Sequence, residues 1–271
     1  MQQMQCILYN NDCYQLNNLM KPTRIVVHST GANNPYIKRY VQPTAHQITG
    51  MGGRTREEML TLLGTNKYKN DWNRSGLNVC VHAFIGKLAD DSVATVQTLP
   101  WNIPAWGVGK GKNGSYNWSA VQFEICEDSL KSKTYFEETY NEAVEFCTMI
   151  CKTYNIPVEN IVSHKEAYKL GYGSNHGDPE HWWSKFGFTM DDFRKAVEEK
   201  LNSPTLPYMV KVIANSLNIR SGPGTDCEKV GKITDKGVYT IVEVNGNWGL
   251  LKSKKGWICL KGYTEKYKTS K

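Results

Sequence analysis

Residues 120–126, AVQFEIC, read as a short strand in which Glu124, flanked by Phe123 and Ile125, faces the opposite side of a sheet from them. Three further apolar runs are strand-like: RIVVHS (24–29), LNVCVHAFIG (77–86) and SVATVQTL (92–99). Helix starts alternate with these runs. Thr55–Glu58 precedes MLTLLG with Gly64 as its stop, and Thr134–Glu137 opens the stretch TYFEETYNEAVEFCTMICKTY at 134–154. Thr189 with Asp192 opens a stripe of Met190, Phe193, Val197 and Leu201. Such alternation predicts an α/β domain with a central mixed β-sheet flanked by helices.

The last quarter reads differently. MVKVIA, YTIVEV, WGLLK and GWICL are short strands separated by Gly-rich turns, predicting a small all-β barrel. Ser203, Pro204 and Pro207 mark a stiff linker, so the expected division is 1–202, 203–207 and 208–271. Charge follows it. The chain has 33 basic and 26 acidic residues; positions 208–271 hold 12 and 5, giving +7, and leave 21 of each sign before them. The basic module is expected to be drawn to polyanions: nucleic acid, anionic membrane or anionic cell wall.

The opening MQQMQCILYNNDCYQLNNLM has no basic start and no apolar core of a secretory signal, and no apolar run reaches membrane-spanning length. Synthesis and retention in a cytoplasm are expected. The eight cysteines form no CxxC pair and no zinc-cluster spacing, and Cys147 and Cys151 share a helical face with Tyr140, Ala143 and Ile150. They read as buried thiols.

Chemistry concentrates at 163–183, SHKEAYKLGYGSNHGDPEHWW, with three of the six histidines. His164 closes the apolar run NIVSH as His28 closes RIVVH, both at positions where a sheet presents side chains at its rim. A hydrolytic zinc site needs three protein ligands and one open position, and His176, Asp178 and His181 are the candidates for the third. Asp178-Pro179-Glu180 also reads as a helix start, and spacing does not choose between these roles.

IVVHST, VHAFIG, QFEICED, SHKEA and SNHGDPEHWW, in that order over roughly residues 20–185, resemble the zinc-dependent N-acetylmuramoyl-L-alanine amidases, relatives of the peptidoglycan-recognition proteins. The resemblance implies Zn2+ held by His28, His164 and Asp178, the last standing where many relatives carry cysteine. It implies that His176 donates to the oxyanion and Glu124 accepts a proton from the attacking water. The implied cut lies between muramic acid and L-alanine of peptidoglycan. His82 is either a substrate contact or a satisfied interior histidine, and His181 is given no role. One departure stands out: relatives commonly have histidine after the tryptophan of AWGVGKG, where this chain has Gly107.

SLNIRSGPGT and GWICLKGY, within about 207–265, resemble the bacterial SH3-like domains that bind cell walls. The implied wall contacts are Asn218, Arg220, Trp248, Trp257 and Tyr263. The whole then reads as an endolysin of a phage or prophage, held in the host cytoplasm until release and acting on an anionic Gram-positive wall, with no nucleic acid or membrane partner. A metal-free recognition protein and a metal-dependent nuclease are the rival readings, the latter opposed by the neutral catalytic part.

Overall fold

The computed structural model describes residues 3–203 and 206–267, and the chain divides into two compact units between Leu201 and Asn202. Pro204 of the expected linker lies outside the described residues.

The first unit holds strands β1 (Gln3–Gln5), β2 (Arg24–Ser29), β3 (Ala83–Lys87), β4 (Val93–Gln97), β5 (Ala120–Ile125) and β6 (Ile161–Ser163). Its helices are α1 (Asp12–Gln15), α2 (Arg56–Leu63), α3 (Lys133–Tyr154), α4 (His164–Lys169), α5 (Glu180–Trp183) and α6 (Met190–Asn202). The strands form one sheet in the order β1-β4-β3-β5-β2-β6, parallel at every pairing except β3 with β4. This is the mixed sheet flanked by helices. The neighbouring interior strands β2 and β5 are apolar runs because both of their faces are covered. On one face Ile25, Val27, Phe123 and Ile125 pack with Phe146, Cys147, Trp182 and Val197. On the other, Phe84 and Val96 pack with Met59 and Leu63.

Local rules account for most boundaries. Thr55 and Glu58 form a full capping box, Gly64 ends α2 with φ of 80°, and Thr189 and Asp192 exchange hydrogen bonds at the start of α6. Two expectations are corrected. Helix α3 starts earlier than Thr134–Glu137 implied, because the Ser132 hydroxyl accepts from the Tyr135 amide and makes the cap two residues sooner. LNVCVHAFIG forms a strand from Ala83 onward, leaving Leu77 to His82 outside it.

The second unit is all-β: β7 (Tyr208–Val212), β8 (Leu217–Arg220), β9 (Lys229–Ile233), β10 (Val238–Asn245), β11 (Trp248–Leu251), β12 (Trp257–Cys259) and β13 (Thr264–Lys266). They make one antiparallel sheet ordered β13-β7-β10-β11-β12-β8-β9. Its own core contains Val210, Val212, Leu217, Ile219, Ile233, Ile241, Leu251 and Ile258. Among the described residues no helix is long and apolar enough to cross a membrane. All eight cysteines are free.

Candidate metal centre

β2 and β6 lie side by side, so the ends of RIVVH and NIVSH emerge together at one rim of the sheet. His28 is the penultimate residue of β2, and His164 opens α4 directly after β6. Ser163 caps that helix in a capping box with Glu166, which fixes where the His164 side chain leaves the backbone. Asp178 comes from the loop before α5. It does not cap that helix as its Asp-Pro-Glu context suggested, for α5 begins at Glu180 without a side-chain cap. One Asp178 oxygen instead accepts from the Ser29 amide at 3.4 Å, and both face the histidines.

Three buried ligand atoms meet there. His28 Nδ1 is 3.0 Å from His164 Nδ1 and 3.3 Å from Asp178 Oδ2, while His164 Nδ1 is 3.5 Å from Asp178 Oδ1. Tetrahedral bonds of about 2.0–2.2 Å to one ion would set ligand atoms about 3.3–3.5 Å apart. The spacing fits.

The surrounding hydrogen bonds fix the tautomers. Asn117 Oδ1 accepts from the Val108 amide and from Gln122 Nε2, which also donates to Ala105 O. Gln122 Oε1 is thereby turned to His28 Nε2 at 3.1 Å and accepts its proton. Ser174 Oγ donates to Val108 O and so accepts from His164 Nε2 at 3.2 Å. With Nε2 protonated on both rings, both Nδ1 lone pairs point at each other and at a carboxylate. Three acceptors converging in a buried place favour a cation between them.

The other expected residues border the same cavity of about 430 Å³, lined by His28, Glu124, His164, His176, Asp178 and His181 among others. Glu124 pairs in register with His28, and its Oε2 is buried without a hydrogen-bond partner. Burial, with the Asp178 and Glu127 carboxylates adding, pushes it well above the ordinary carboxylate range. His176 is exposed, stacks flat on His164 with ring centroids 4.4 Å apart, and places Nδ1 3.5 Å from Asp178 Oδ1.

His82 is corrected. It is fully buried, its Nδ1 accepts from the Gln122 amide and its Nε2 donates to Ile103 O, so no part of the ring is left for a substrate. The sequence reading also missed two residues. Gln122 orients His28, and His181 lines the cavity while bonding the buried Glu127 at 3.0 Å. Alternation in AVQFEIC puts Gln122 on the face of Glu124, which was the available signal for the first.

Residues 18–181 match the N-acetylmuramoyl-L-alanine amidase family. The chain belongs to that family. Residues 215–265 match the bacterial SH3 domain. The amidase-family chain is 25% identical over 198 residues to Protein Ami of Listeria monocytogenes, covering 69% of this chain and 17% of that one. It is 35% identical over 77 residues to the N-acetylmuramoyl-L-alanine amidase CwlH of Bacillus subtilis, 28% of this chain and 29% of that one. It spans less than a third of the length of the curated relatives it matches. Among solved structures, the Staphylococcus aureus hydrolase AmiA in complex with its ligand aligns with a TM-score of 0.46 at 20% identity, covering 69% of this chain and 76% of that one.

In the SH3 unit, Asn218 and Arg220 alternate with buried Leu217 and Ile219, and Arg220 pairs in register with Trp257. The Arg220 guanidinium lies 6.0 Å from the Trp248 ring centroid and donates to Cys227 O. Trp248 and Trp257 are half-buried, while Tyr263, in the turn before β13, is exposed.

Proposed function

We propose that this chain is a zinc-dependent peptidoglycan hydrolase that cleaves the amide between N-acetylmuramic acid and L-alanine of the stem peptide. The observation that carries this is the convergence of His28 Nδ1, His164 Nδ1 and one Asp178 carboxylate, each ring oriented by a bond on its far nitrogen. His28, His164 and Asp178 would hold the ion. When bound, zinc supplies Lewis acidity to the scissile carbonyl and to water.

The chain's own residues do the rest. Glu124, at the cavity with a free buried oxygen, takes the proton of the attacking water and returns it to the leaving amine of L-alanine. His176, half free of the wall that it stacks on, donates to the oxyanion formed at the carbonyl. The C–N bond breaks, the muramic acid keeps its lactyl carboxylate, and the peptide gains an amino terminus.

The SH3 unit then holds the enzyme to the wall, with Asn218, Arg220, Trp248, Trp257 and Tyr263 as the proposed contacts and a formal charge of +7 over 208–271 to favour an anionic polymer. Free cysteines throughout support synthesis in a reducing host cytoplasm before action at the wall, as for an endolysin. The test is the protein with zinc on purified Gram-positive walls. New amino-terminal alanine, abolished by a chelator and restored by zinc, is expected. Walls bound but left intact would make this a recognition protein instead.

A further inference from the structure

Each imidazole of the metal centre is fixed by a bond on its far nitrogen, His28 by Gln122 and His164 by Ser174. Asp178 is held differently. It lies in the loop between α4 and α5, and its carbonyl accepts from the Lys165 amide at 3.4 Å. Apart from its histidine contacts, the donor its carboxylate has among the described residues is the Ser29 amide, also at 3.4 Å. Both bonds are long for an amide donor. Alone they would leave the third ligand loosely placed.

Glu127 tightens the arrangement from behind. It lies two residues beyond the end of β5 and is 3% exposed. Its Oε1 accepts from Ser29 Oγ at 2.5 Å and from His181 Nε2 at 3.0 Å, and its amide donates to Thr30 Oγ1 at 3.1 Å. Ser29 is the residue whose amide meets Asp178, and the His181 amide closes on Gly177 O at 3.2 Å. The two partners of this one oxygen therefore flank Asp178, one on the strand it leans against and one on the helix that follows it. Bonds to a carboxylate are shorter and stronger than neutral ones. The helix end of the clasp is anchored in turn, because Trp182 and Trp183 are buried in the core.

Stability does not account for a carboxylate in this place. Taking its charge out of water has a cost that a well-packed apolar side chain would avoid. No step of the proposed reaction uses Glu127 either.

We propose that Glu127 is the positioning residue of the third metal ligand, holding the Asp178 carboxylate against the two imidazoles through its paired bonds to Ser29 and His181. This rests on the reading of His28, His164 and Asp178 as the zinc ligands. Glu127 acts through Asp178 and does not touch the ion.

The test is zinc affinity of the full-length protein, by competition with a chromophoric chelator. Glu127→Ala is expected to bind zinc about 10–100-fold more weakly than wild type. Glu127→Gln keeps an oxygen that accepts from both partners, so it is expected to stay within about threefold. In an Asp178→Ala background, titrated at higher free zinc, Glu127→Ala is expected to have no further effect, since its route to the ion is gone. An undiminished loss in that background would make Glu127 a general packing residue and overturn the proposal. So would Glu127→Gln as weak as Glu127→Ala, which would assign the effect to charge, or Glu127→Ala as avid as wild type. Should Glu127→Ala not fold, Ser29→Ala and His181→Ala each remove one bond and are each expected to weaken zinc roughly 3–10-fold; unchanged affinity in both would overturn the clasp. A wild-type chain that takes up no zinc would instead overturn the metal-centre reading, and the clasp with it.

Discussion

Gln122 Oε1 sits 3.1 Å from His28 Nε2, and this contact decides which His28 nitrogen faces the centre. The two side chains meet because β2 and β5 are parallel neighbours: Val26 pairs with Gln122 and His28 with Glu124, so the period-two alternation sends Gln122, Glu124 and His28 to one face. Gln122→Ala is therefore expected to weaken zinc binding about 10–100-fold while leaving all three ligands in place. Competition with a chromophoric chelator measures it. Unchanged affinity would mean that the carboxamide plays no part in orienting the ring.

Gly107 is tied to the same contact. A Cβ added there would lie 2.7 Å from Gln122 Oε1 and 3.0 Å from Val81 Cγ1. Val81 is fully buried and Gln122 is bonded at both ends of its amide, so neither yields easily. Gly107→Ala is expected to cost about 1–3 kcal/mol of stability and to weaken zinc binding with it. Thermal unfolding and the chelator titration, run together, check both effects. A variant as stable as wild type and as avid for zinc would contradict the packing argument.

His82 makes stability depend on pH. Burial lowers its pKa from 6.5 to about 4, against the opposing pull of its bonds to Ile103 and Gln122. The unfolded chain thus binds a proton that the folded one refuses. The contribution is fully present above pH 6.5, falls as pH drops from there and is gone near 4, a loss of roughly 3 kcal/mol. Denaturant melts of wild type and His82→Gln across that window read it. The glutamine can donate to Ile103 O and accept from the Gln122 amide, so the variant is expected to show a shallower fall. Parallel pH dependences would contradict the assignment.

His176 stacks on His164, yet its ring is exposed, which separates a catalytic role from a ligand role. His176→Ala is expected to retain zinc and to lose about 10²–10³ in kcat, the usual cost of one oxyanion donor. Elemental analysis beside a rate assay on muramyl dipeptide checks it. A zinc-free variant would make His176 a ligand.

The architecture was largely legible because RIVVHS and AVQFEIC are apolar on both sides of a buried parallel pair, and that pattern survives in any context. The strands β1 and β9 were not. β9, KVGKI, has four exposed residues out of five, so nothing apolar marks it. At the site, a histidine ending an apolar run announces a rim position, as His28 and His164 do. Gln122 does not announce itself: its partners Ala105, Asn117 and His28 lie 17, 5 and 94 residues away and meet it only in the folded sheet. His82 misled for the opposite reason. It sits in an apolar run beside the site, and only the two main-chain bonds it makes reveal that it is interior.

Metal stoichiometry at limiting free zinc tests the whole account most directly. The wild-type chain is expected to take up a single equivalent, and His28→Ala, His164→Ala and Asp178→Ala each to take up almost none, with release of L-alanine-terminated peptide falling in step. A full equivalent of zinc and undiminished cleavage in any one of these three variants would contradict it.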